Sequence, residues 1–374
     1  MKTFVYALSV LLSTIIGVGF FALPYITAKV GLWTILFYFL FLGSIVIFLK
    51  FLFTEVAMRT KDMHRLPGYA RLYLGKWGER IASITTIFSL GGALLAYFIV
   101  GGIFLHSLFS PIFGGDVYLY TIFYFIVGAL LIYFGIQSIS IIGFLSVILF
   151  IVILLTIFWQ GFNLIETKNL FNFNLTYALL PYGAILFSFW GMSLIPEIKE
   201  MMIGKEKELK KIISLSVIIA ALIYLFFIFI VTGISGNVVS EDAISGLRGF
   251  VSNWVIGIAL FFGILTTFTS FLTLGLTLKK VFWYDFKLPK ILAWFLACFG
   301  PLIFFFLGMK DYIIAIGLVG GVMLGIEGIL IILMHSKAKI RGEKNPPWSI
   351  SLPKFLSYFL ILILILGVIS IFLK

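Results

Sequence analysis

Charged residues are scarce in this sequence of 374 residues: Asp, Glu, Lys and Arg together make up 11% of the chain. A typical soluble domain has about 25%. Hydrophobic residues make up 62%, and the mean hydropathy is +1.19. So little polar surface excludes a large soluble domain, and the composition predicts an integral membrane protein surrounded by the lipid bilayer.

Cysteine and histidine are nearly absent as well. The single cysteine, Cys298, excludes an internal disulfide. The three histidines, His64, His106 and His335, are scattered near the ends of apolar runs, and no grouped His, Cys or Asp indicates a metal site or a nucleophile–base set. The sequence therefore predicts neither an enzyme nor a cofactor. The net charge of +12 is concentrated in particular loops, so we expect no nucleic-acid partner, and nothing indicates an obligatory protein partner.

Long apolar runs divide the chain into eleven predicted membrane spans. A helix needs about 20 apolar residues to cross the hydrocarbon layer. Runs such as "FLILILILGVISIFL" are continuous rather than alternating, which predicts helices and not a barrel. The first run lacks a cleavage site, so we expect it to be retained as a span. The predicted spans are residues 4–28, 31–57, 80–108, 117–135, 139–160, 176–197, 212–236, 251–279, 289–308, 311–335 and 353–373.

The basic residues predict the orientation of these spans. With eleven spans, 21 of the 27 Lys and Arg residues fall in one set of loops and five in the other, and Lys50 lies within span 2. Cytoplasmic loops carry the excess of Lys and Arg. The pattern predicts a multi-pass protein of the plasma membrane with a cytoplasmic N-terminus and an extracytoplasmic C-terminus. The basic, aromatic-rich loop at 58–79 predicts a short helix along the inner membrane surface.

Two spans contain helix-weakening residues near their centres. Span 1 reads "STIIGVGFFALPYI" and span 6 reads "YGAILFSFWGMSLIPEI". Gly19 to Pro24 and Gly191 to Pro196 share the spacing G-x-x-x-x-P. Because span 6 follows span 1 by five spans, an odd number, the second copy enters the membrane from the opposite side. Paired interrupted segments of this kind indicate the binding site of a transporter built from an inverted repeat.

The predicted organisation follows from this repeat. Residues 1–160 form the first repeat and 176–335 the second, together a single transporter core, and 336–374 form an inner loop and the eleventh helix. Non-helical backbone at membrane depth is tolerated only where it lines a cavity or is buried in protein. Freed N–H groups suit a carboxylate and freed C=O groups suit a cation. A zwitterion with a coupling ion is therefore the expected ligand.

The sequence resembles a known family at several places. "TIIGVGFFALP" is similar to the first span of amino acid/auxin permeases, especially their bacterial aromatic and hydroxy amino acid branch, and the sixth span resembles the broken helix of that branch. Further similar stretches, in order, are "AYFIVGG" at 96–102, "TFTSFLTLGLTLKKVFWYD" at 267–285 and "AIGLVGG" at 315–321. The resemblance implies eleven spans, the LeuT-type fold of the amino acid–polyamine–organocation superfamily, and ion-coupled amino acid uptake.

Candidate substrate residues follow from the breaks and from this resemblance. The N–H groups of the first break are expected to bind the substrate carboxylate, and the second break is expected to meet the amino group and side chain. The resemblance adds Tyr97 on span 3, which could equally be an ordinary core tyrosine. The predicted substrate residues are Gly17, Val18, Gly19, Tyr97, Ser188, Phe189, Trp190, Gly191 and Met192.

Met192 departs from the aromatic branch, whose members carry a histidine at about this position. The thioether of methionine is apolar and adaptable. The difference favours a substrate with a neutral, apolar side chain over a strictly aromatic or hydroxylated one.

A hydroxyl-rich patch in span 8 is the candidate cation site. Hard cations prefer oxygen ligands, and the resemblance implies that Thr269 and Ser270 face the site. Alternatively, these hydroxyls donate to carbonyls of their own helix, which is common in membrane helices. The predicted cation ligands are Ile16, Gly19, Thr266, Thr269 and Ser270.

Few acids are predicted within spans, where ionisable residues indicate function. Glu327 is the deepest and is the candidate proton carrier. Glu55, Glu197 and Lys50 lie toward the inner ends of their spans, where we expect them to snorkel or to pair in an inner gate.

The predicted function is import of amino acids, neutral or aromatic, by alternating access. The coupling ion is H⁺ in the first instance, with Na⁺ the alternative. A channel would need a continuous polar pore or rings of charge, and neither is present. The remaining alternatives are a transporter of another organic solute such as a polyamine, or a nutrient sensor on the same fold that does not transport.

Overall fold

The secondary structure is almost wholly helical in a computed structural model of the chain, which describes residues 2–135, 140–171 and 174–372. Continuous apolar sequence explains this, because a backbone in lipid must satisfy its own hydrogen bonds. The α-helices are α1 Lys2–Ile15, α2 Ala22–Val30, α3 Leu32–Arg59, α4 Leu66–Phe113, α5 Val117–Phe134, α6 Ser140–Gly161, α7 Leu180–Phe189, α8 Ile195–Met201, α9 Leu209–Ser235, α10 Asn253–Lys280, α11 Lys290–Phe306, α12 Tyr312–Leu318, α13 Leu324–Arg341 and α14 Lys354–Phe372.

Several of these helices can cross a membrane. Within the described ranges, seven helices are long and apolar enough, and an eighth span is counted when Thr3–Ile15 and Val18–Val30, bent by 54°, are taken as one. Ile148–Leu164 and Lys290–Phe306 are apolar but shorter. The chain is thus a multi-pass helical membrane protein. The count of eleven spans stays a prediction, and the expected start of span 5 at residue 139 lies outside the described residues.

The first predicted break is present, and its geometry explains the sequence. α1 ends at Ile15, Gly17 is extended (φ −119°, ψ −157°), and a 3₁₀ turn over Val18–Phe21 leads into α2. Pro24 lies in the first turn of α2, where a missing N–H costs little. The proline therefore begins the second half-helix, and the chain breaks earlier, at Gly17.

The second break has the same order of parts. α7 ends at Phe189, Gly191 adopts the left-handed conformation (φ 53°, ψ 22°), and a 3₁₀ turn over Met192–Leu194 leads into α8. Glycine is the residue that takes this conformation without a steric penalty. Pro196 lies in the first turn of α8, as Pro24 does in α2.

The half-helices pack into one assembly with the long helices. α4 contacts α5, α10, α11, α12 and α13 along its length, while α9 packs against α1, α2 and α3. α3 also contacts α7 and α8. The breaks therefore lie between an α4–α10 pair on one side and a group of α1, α3, α7 and α9 on the other.

The loop at 58–79 forms the predicted short helix. α4 begins at Leu66 and is interrupted at Gly75, whose φ of 77° and ψ of −162° are not helical. The segment before Gly75 is thus a separate short helix at the end of the long one.

Candidate functional site

A cavity of about 410 Å³ lies between the two breaks. Its volume falls in the usual range of about 300–1,000 Å³ for small-molecule sites. The lining includes both breaks, α4 and α10, so elements distant in sequence meet here. Of the predicted residues, those that line the cavity are Ile16, Gly17, Gly19, Tyr97, Ser188, Trp190, Gly191, Met192, Thr266, Thr269, Ser270 and Glu327.

Two predicted residues do not line the cavity. Val18 is fully buried, and its side chain is not part of the lining. Phe189 is also fully buried, with its ring stacked on Tyr224 (centroids 5.6 Å apart) and against Phe39 (5.1 Å). Residues on either side of a break point in different directions, so neighbours in sequence do not share one surface.

Tyr97 joins α4 to the first break. Its hydroxyl oxygen accepts the N–H of Val18 at 3.2 Å and interacts with the side chain of Ser270. A side chain at Gly17 would collide with this hydroxyl, which explains the glycine. Of the three N–H groups predicted to bind a carboxylate, Val18 donates to Tyr97 and Gly17 donates to the Ile15 carbonyl at 2.9 Å.

Tyr224 joins the two breaks to each other, and the sequence analysis did not identify it. Its buried hydroxyl lies 2.8 Å from the carbonyl oxygen of Ile15 and 3.2 Å from that of Ser188. These carbonyls stand at the ends of α1 and α7, where the helices stop. No local pattern signals such a contact, because the partners are 209 and 36 residues away in the chain.

Glu327 occupies the wall between α4 and the second break. One carboxylate oxygen accepts the Ser89 hydroxyl at 3.1 Å, and the other accepts the Trp190 indole N–H at 3.1 Å. The side chain is 6% exposed and lines the cavity. Ser89 was not predicted, and its partner in α13 could not be read from sequence.

Two of the three candidate hydroxyls in α10 donate to carbonyls of their own helix, which was the alternative to a cation site. Thr266 donates to the Phe262 carbonyl at 3.1 Å, and Thr269 donates to the Thr266 carbonyl at 3.1 Å. Both residues line the cavity together with Ile16 and Gly19. The predicted cation ligands thus all lie in the lining of one cavity, where Thr266 and Thr269 donate within their own helix and Ser270 interacts with Tyr97.

Aromatic rings close one end of the cavity. Phe20, Phe21, Phe150 and Phe262 line this end, and the ring centroids of Phe20 and Phe150 are 4.7 Å apart. Phe150 stacks on Phe262 at 5.5 Å. This end lies toward the side to which α2 runs.

The opposite end is open. There the lining continues past the breaks to Pro196, Thr277 and Arg65. The Arg65 side chain is 44% exposed and pairs with Glu197 at 3.5 Å. The cavity therefore opens on the side where α1 begins, which is also the side of the basic loops.

The C-terminal end of α3 is held by a cluster of residues around Glu55. Its carboxylate, fully buried, accepts from Arg59 at 2.9 Å and contacts His335 at 3.0 Å. It also accepts the Ser349 hydroxyl at 2.6 Å and the Ile350 N–H at 2.7 Å. The segment before α14 thus closes over the ends of α3 and α13. Glu55 and Glu197 thus each pair with an arginine, Arg59 and Arg65 respectively, and their place in an inner gate stays a prediction.

Two solved structures are similar to this one. MhsT, in complex with L-phenylalanine, gives a TM-score of 0.62 with 16% identity, covering 98% of this chain and 97% of its own. Mhp1, in its inward-facing conformation, gives 0.73 with 14% identity, covering 99% of this chain and 90% of its own. At these identities the likeness shows the fold, which is the LeuT-type fold of both neighbours.

The structure is that of a helical membrane protein with a cavity between two broken helices, and its match to a permease family and to a transport protein indicates a transporter rather than an enzyme. The chain belongs to the tryptophan/tyrosine permease family, which matches residues 1–371. It is similar to "Tyrosine-specific transport system 1" of Haemophilus influenzae, with 26% identity over 382 residues that cover 95% of this chain and 92% of the relative. The resemblance to aromatic amino acid permeases is confirmed at the level of this family.

Proposed function

We propose that the protein is a secondary active transporter that imports amino acids with apolar or aromatic side chains by alternating access. The observation that carries the proposal is one cavity that both breaks line, closed by aromatic rings at one end and open at the other. A carrier needs such a site, reachable from one side at a time.

The ligand is inferred from the chemistry of the two breaks. A zwitterion can place its carboxylate at the first break, where it would compete with the Tyr97 hydroxyl for the Val18 N–H. The wall at Met192 and Phe187 is apolar, which suits a hydrophobic side chain. The family and the tyrosine-specific relative support an aromatic substrate. The L-phenylalanine bound in the MhsT complex supports the same class of ligand.

Two groups are candidates for coupling to a cation. Glu327 is a buried carboxylate in the cavity wall, which supports H⁺ as the coupling ion with Glu327 as its carrier. The alternative is Na⁺, held by the carbonyls of Ile16 and Gly19 with the hydroxyls of Thr269 and Ser270. In this proposal the open end of the cavity faces the cytoplasm, because the basic loops lie on that side.

The topology proposed from sequence completes this account. It has eleven spans and an inverted repeat of five plus five, with α1–α2 and α7–α8 as the broken spans 1 and 6. The N-terminus is cytoplasmic and the C-terminus extracytoplasmic, as in the amino acid–polyamine–organocation superfamily. During transport, the group of α1, α3, α7 and α9 would rock against the α4–α10 pair.

The alternatives are less well supported. A polyamine would call for several acids in the cavity, and Glu327 is the one acid in its lining over the described residues. A sensor that does not transport would bind an amino acid without moving it, which the following experiment tests.

The experiment is uptake into proteoliposomes with imposed pH or Na⁺ gradients, competed by each amino acid in turn. We expect radiolabelled L-tyrosine to accumulate under a pH gradient and to be competed by apolar and aromatic amino acids. Gly19→Leu, whose side chain would run into Ser188, is expected to abolish uptake. Gly300→Leu is the matched control, since nothing lies within 4 Å of a Cβ there. Binding of tyrosine without uptake would favour the sensor, and uptake by Gly19→Leu would contradict the proposal.

A further inference from the structure

A lysine lies in the middle of the protein with nothing to hold its charge. Lys50, in α3, is 0% exposed, and its Nζ makes no hydrogen bond with any part of the chain that the structure describes. The sequence suggests that it snorkels or pairs at the inner membrane face, and it does neither. An unpaired buried ammonium is costly, so this side chain needs an explanation.

The amine lies directly behind the second break. A Cβ built on Gly191 would lie 3.7 Å from Lys50 Nζ and 3.1 Å from Ile15 Cγ1. Gly191 itself lines the cavity, whereas Lys50 does not. The left-handed glycine therefore stands between the amine and the cavity, and a change in its backbone would change the surroundings of the amine.

No acid offers Lys50 a partner in this conformation. No carboxylate of the described residues lies within the 4.0 Å ion-pair distance of its Nζ. At Gly191, beside this amine, α1 presents the apolar side chains of Leu11 and Ile15. Over α3 and the helices packed against it, the buried titratable side chains besides Lys50 are Glu55, Tyr182, Tyr224, Glu327 and His335, and Glu197 is partly buried.

Each of the three acids accepts a hydrogen bond from another group. Glu327 accepts from the Trp190 indole N–H, Glu55 contacts His335, and Glu197 forms an ion pair with Arg65. Of the two tyrosines, Tyr224 donates to the Ile15 carbonyl. Each acid thus has a partner other than Lys50, although Glu197 Oε2, like Lys50 Nζ, makes no hydrogen bond within the described residues.

The other buried lysine shows what a structural role looks like. Lys279, 4% exposed, donates to the carbonyls of Ile132 and Tyr133 at 2.8 and 3.0 Å. These carbonyls end α5, so Lys279 caps that helix. Lys50 has no such contacts, and helix capping does not account for it.

We propose that Lys50 is a proton-binding residue of the transport cycle, neutral in this conformation and protonated when the break at Gly191 rearranges. Rotation at Gly191 would turn the carbonyls at the end of α7 toward the amine and give an ammonium its acceptors. The amine binds one proton through its lone pair and later releases the same proton on the other side. This inference rests on the proposed function and adds a proton site distinct from Glu327.

The test uses purified protein in Na⁺-free proteoliposomes with radiolabelled L-tyrosine. Two quantities are measured: accumulation under a pH difference of one unit, and exchange of internal for external tyrosine at equal pH. One transported proton supports about tenfold accumulation per pH unit. Lys50→Met is therefore expected to accumulate about tenfold less than the wild type, to retain exchange, and to show a weaker pH dependence of exchange, because Glu327 remains.

Two further variants distinguish coupling from folding. Lys50→Arg keeps its proton at all accessible pH values, so it is expected to slow exchange as well as accumulation. Lys279→Met removes the other buried lysine and is expected to keep the wild-type accumulation ratio. If Lys50→Met does not elute as a folded protein in size-exclusion chromatography, Lys50→Gln is judged by the same criterion.

The outcomes separate this inference from the proposed function. Wild-type accumulation by Lys50→Met, or wild-type exchange by Lys50→Arg, would overturn the role of Lys50. Accumulation by the wild type under a Na⁺ gradient with no response to pH would also overturn it, while leaving amino acid transport intact. Absence of both binding and exchange in the wild type, for every amino acid tried, would instead contradict the proposed function.

Discussion

Removing the hydroxyl of Tyr224 tests whether one side chain holds the two breaks together. In Tyr224→Phe, the carbonyls of Ile15 and Ser188 lose the donor that they share at 2.8 and 3.2 Å. The Ile15 carbonyl keeps the N–H of Gly17 at 2.9 Å. The main loss therefore falls on Ser188, at the end of α7.

The magnitude follows from this count of partners. Leaving one buried acceptor without a donor costs about 1–3 kcal/mol, while side-chain hydrogen bonds inside membrane proteins average about 0.6 kcal/mol. We expect Tyr224→Phe to lower the free energy of unfolding by about 1–2 kcal/mol. The ring itself keeps its stacking on Phe189 (5.6 Å), so packing is not lost.

The assay is reversible unfolding by SDS in mixed micelles, together with the dissociation constant for L-tyrosine. If the hydrogen bonds of Tyr224 set the geometry of the two breaks, the dissociation constant for L-tyrosine should rise as well. Each loss of about 1.4 kcal/mol in binding free energy corresponds to a tenfold weaker affinity. Tyr182→Phe is the matched control, because its buried hydroxyl has no partner in the described part of the chain, and we expect little or no loss of stability. Equal effects of the two substitutions would refute the idea that the Tyr224 hydroxyl holds the two breaks together.

Three other predictions test the cavity wall and the cluster around Glu55. Gly17→Ala is expected to abolish uptake at normal expression, because its Cβ would meet the Tyr97 hydroxyl, and adding Tyr97→Phe should restore part of the uptake; no recovery would contradict the steric explanation. Glu327→Gln is expected to accumulate about tenfold less tyrosine per unit of pH difference while keeping tyrosine exchange, and unchanged accumulation would exclude it as a proton carrier. Glu55→Gln leaves His335 without its buried carboxylate and is expected to lower the unfolding free energy by about 3 kcal/mol, measured in SDS micelles against Glu166→Gln, whose carboxylate is 55% exposed.

The breaks were predictable because glycine and proline act locally. A glycine with non-helical backbone and a proline in the first turn of the following helix form a signal within a few neighbouring residues. This signal did not show at which residue the chain would bend. Measured from the prolines, the first break lies at Gly17, seven residues before Pro24, and the second at Gly191, five residues before Pro196.

Side-chain direction was predicted less well. Phe189 was expected at the site, but it is fully buried and does not line the cavity. Val18 was expected to contribute its N–H, which donates to the cavity-lining Tyr97. A helix repeats its direction every 3.6 residues, and this regularity fails where the chain is extended or turns through a 3₁₀ segment. The orientation of residues at a break is decided by the helices around it, which local sequence does not describe.

Long-range partners were the hardest to predict. Ser89 bonds to Glu327 across 238 residues, and Tyr224 bonds to Ile15 across 209. Lys50 could be placed within its helix but not within the fold, so its burial behind Gly191 was missed. A polar residue in an apolar run signals that a partner or a function exists, but not which one.

The shared donor at Tyr224 gives the two breaks a mechanical relation that the repeat alone does not. The carbonyl of Ile15 ends α1 and the carbonyl of Ser188 ends α7, and one hydroxyl has one proton to donate between them. A movement of α1 away from Tyr224 would leave the hydroxyl to Ser188, and a movement of α7 would leave it to Ile15. Two residues of the second break contact ionisable groups: Trp190 donates a hydrogen bond to Glu327, and Gly191 lies next to the amine of Lys50. Displacement of the first half-helix would therefore reach both ionisable groups through the second break, which is the kind of coupling that the proposed symport of an amino acid with a proton requires.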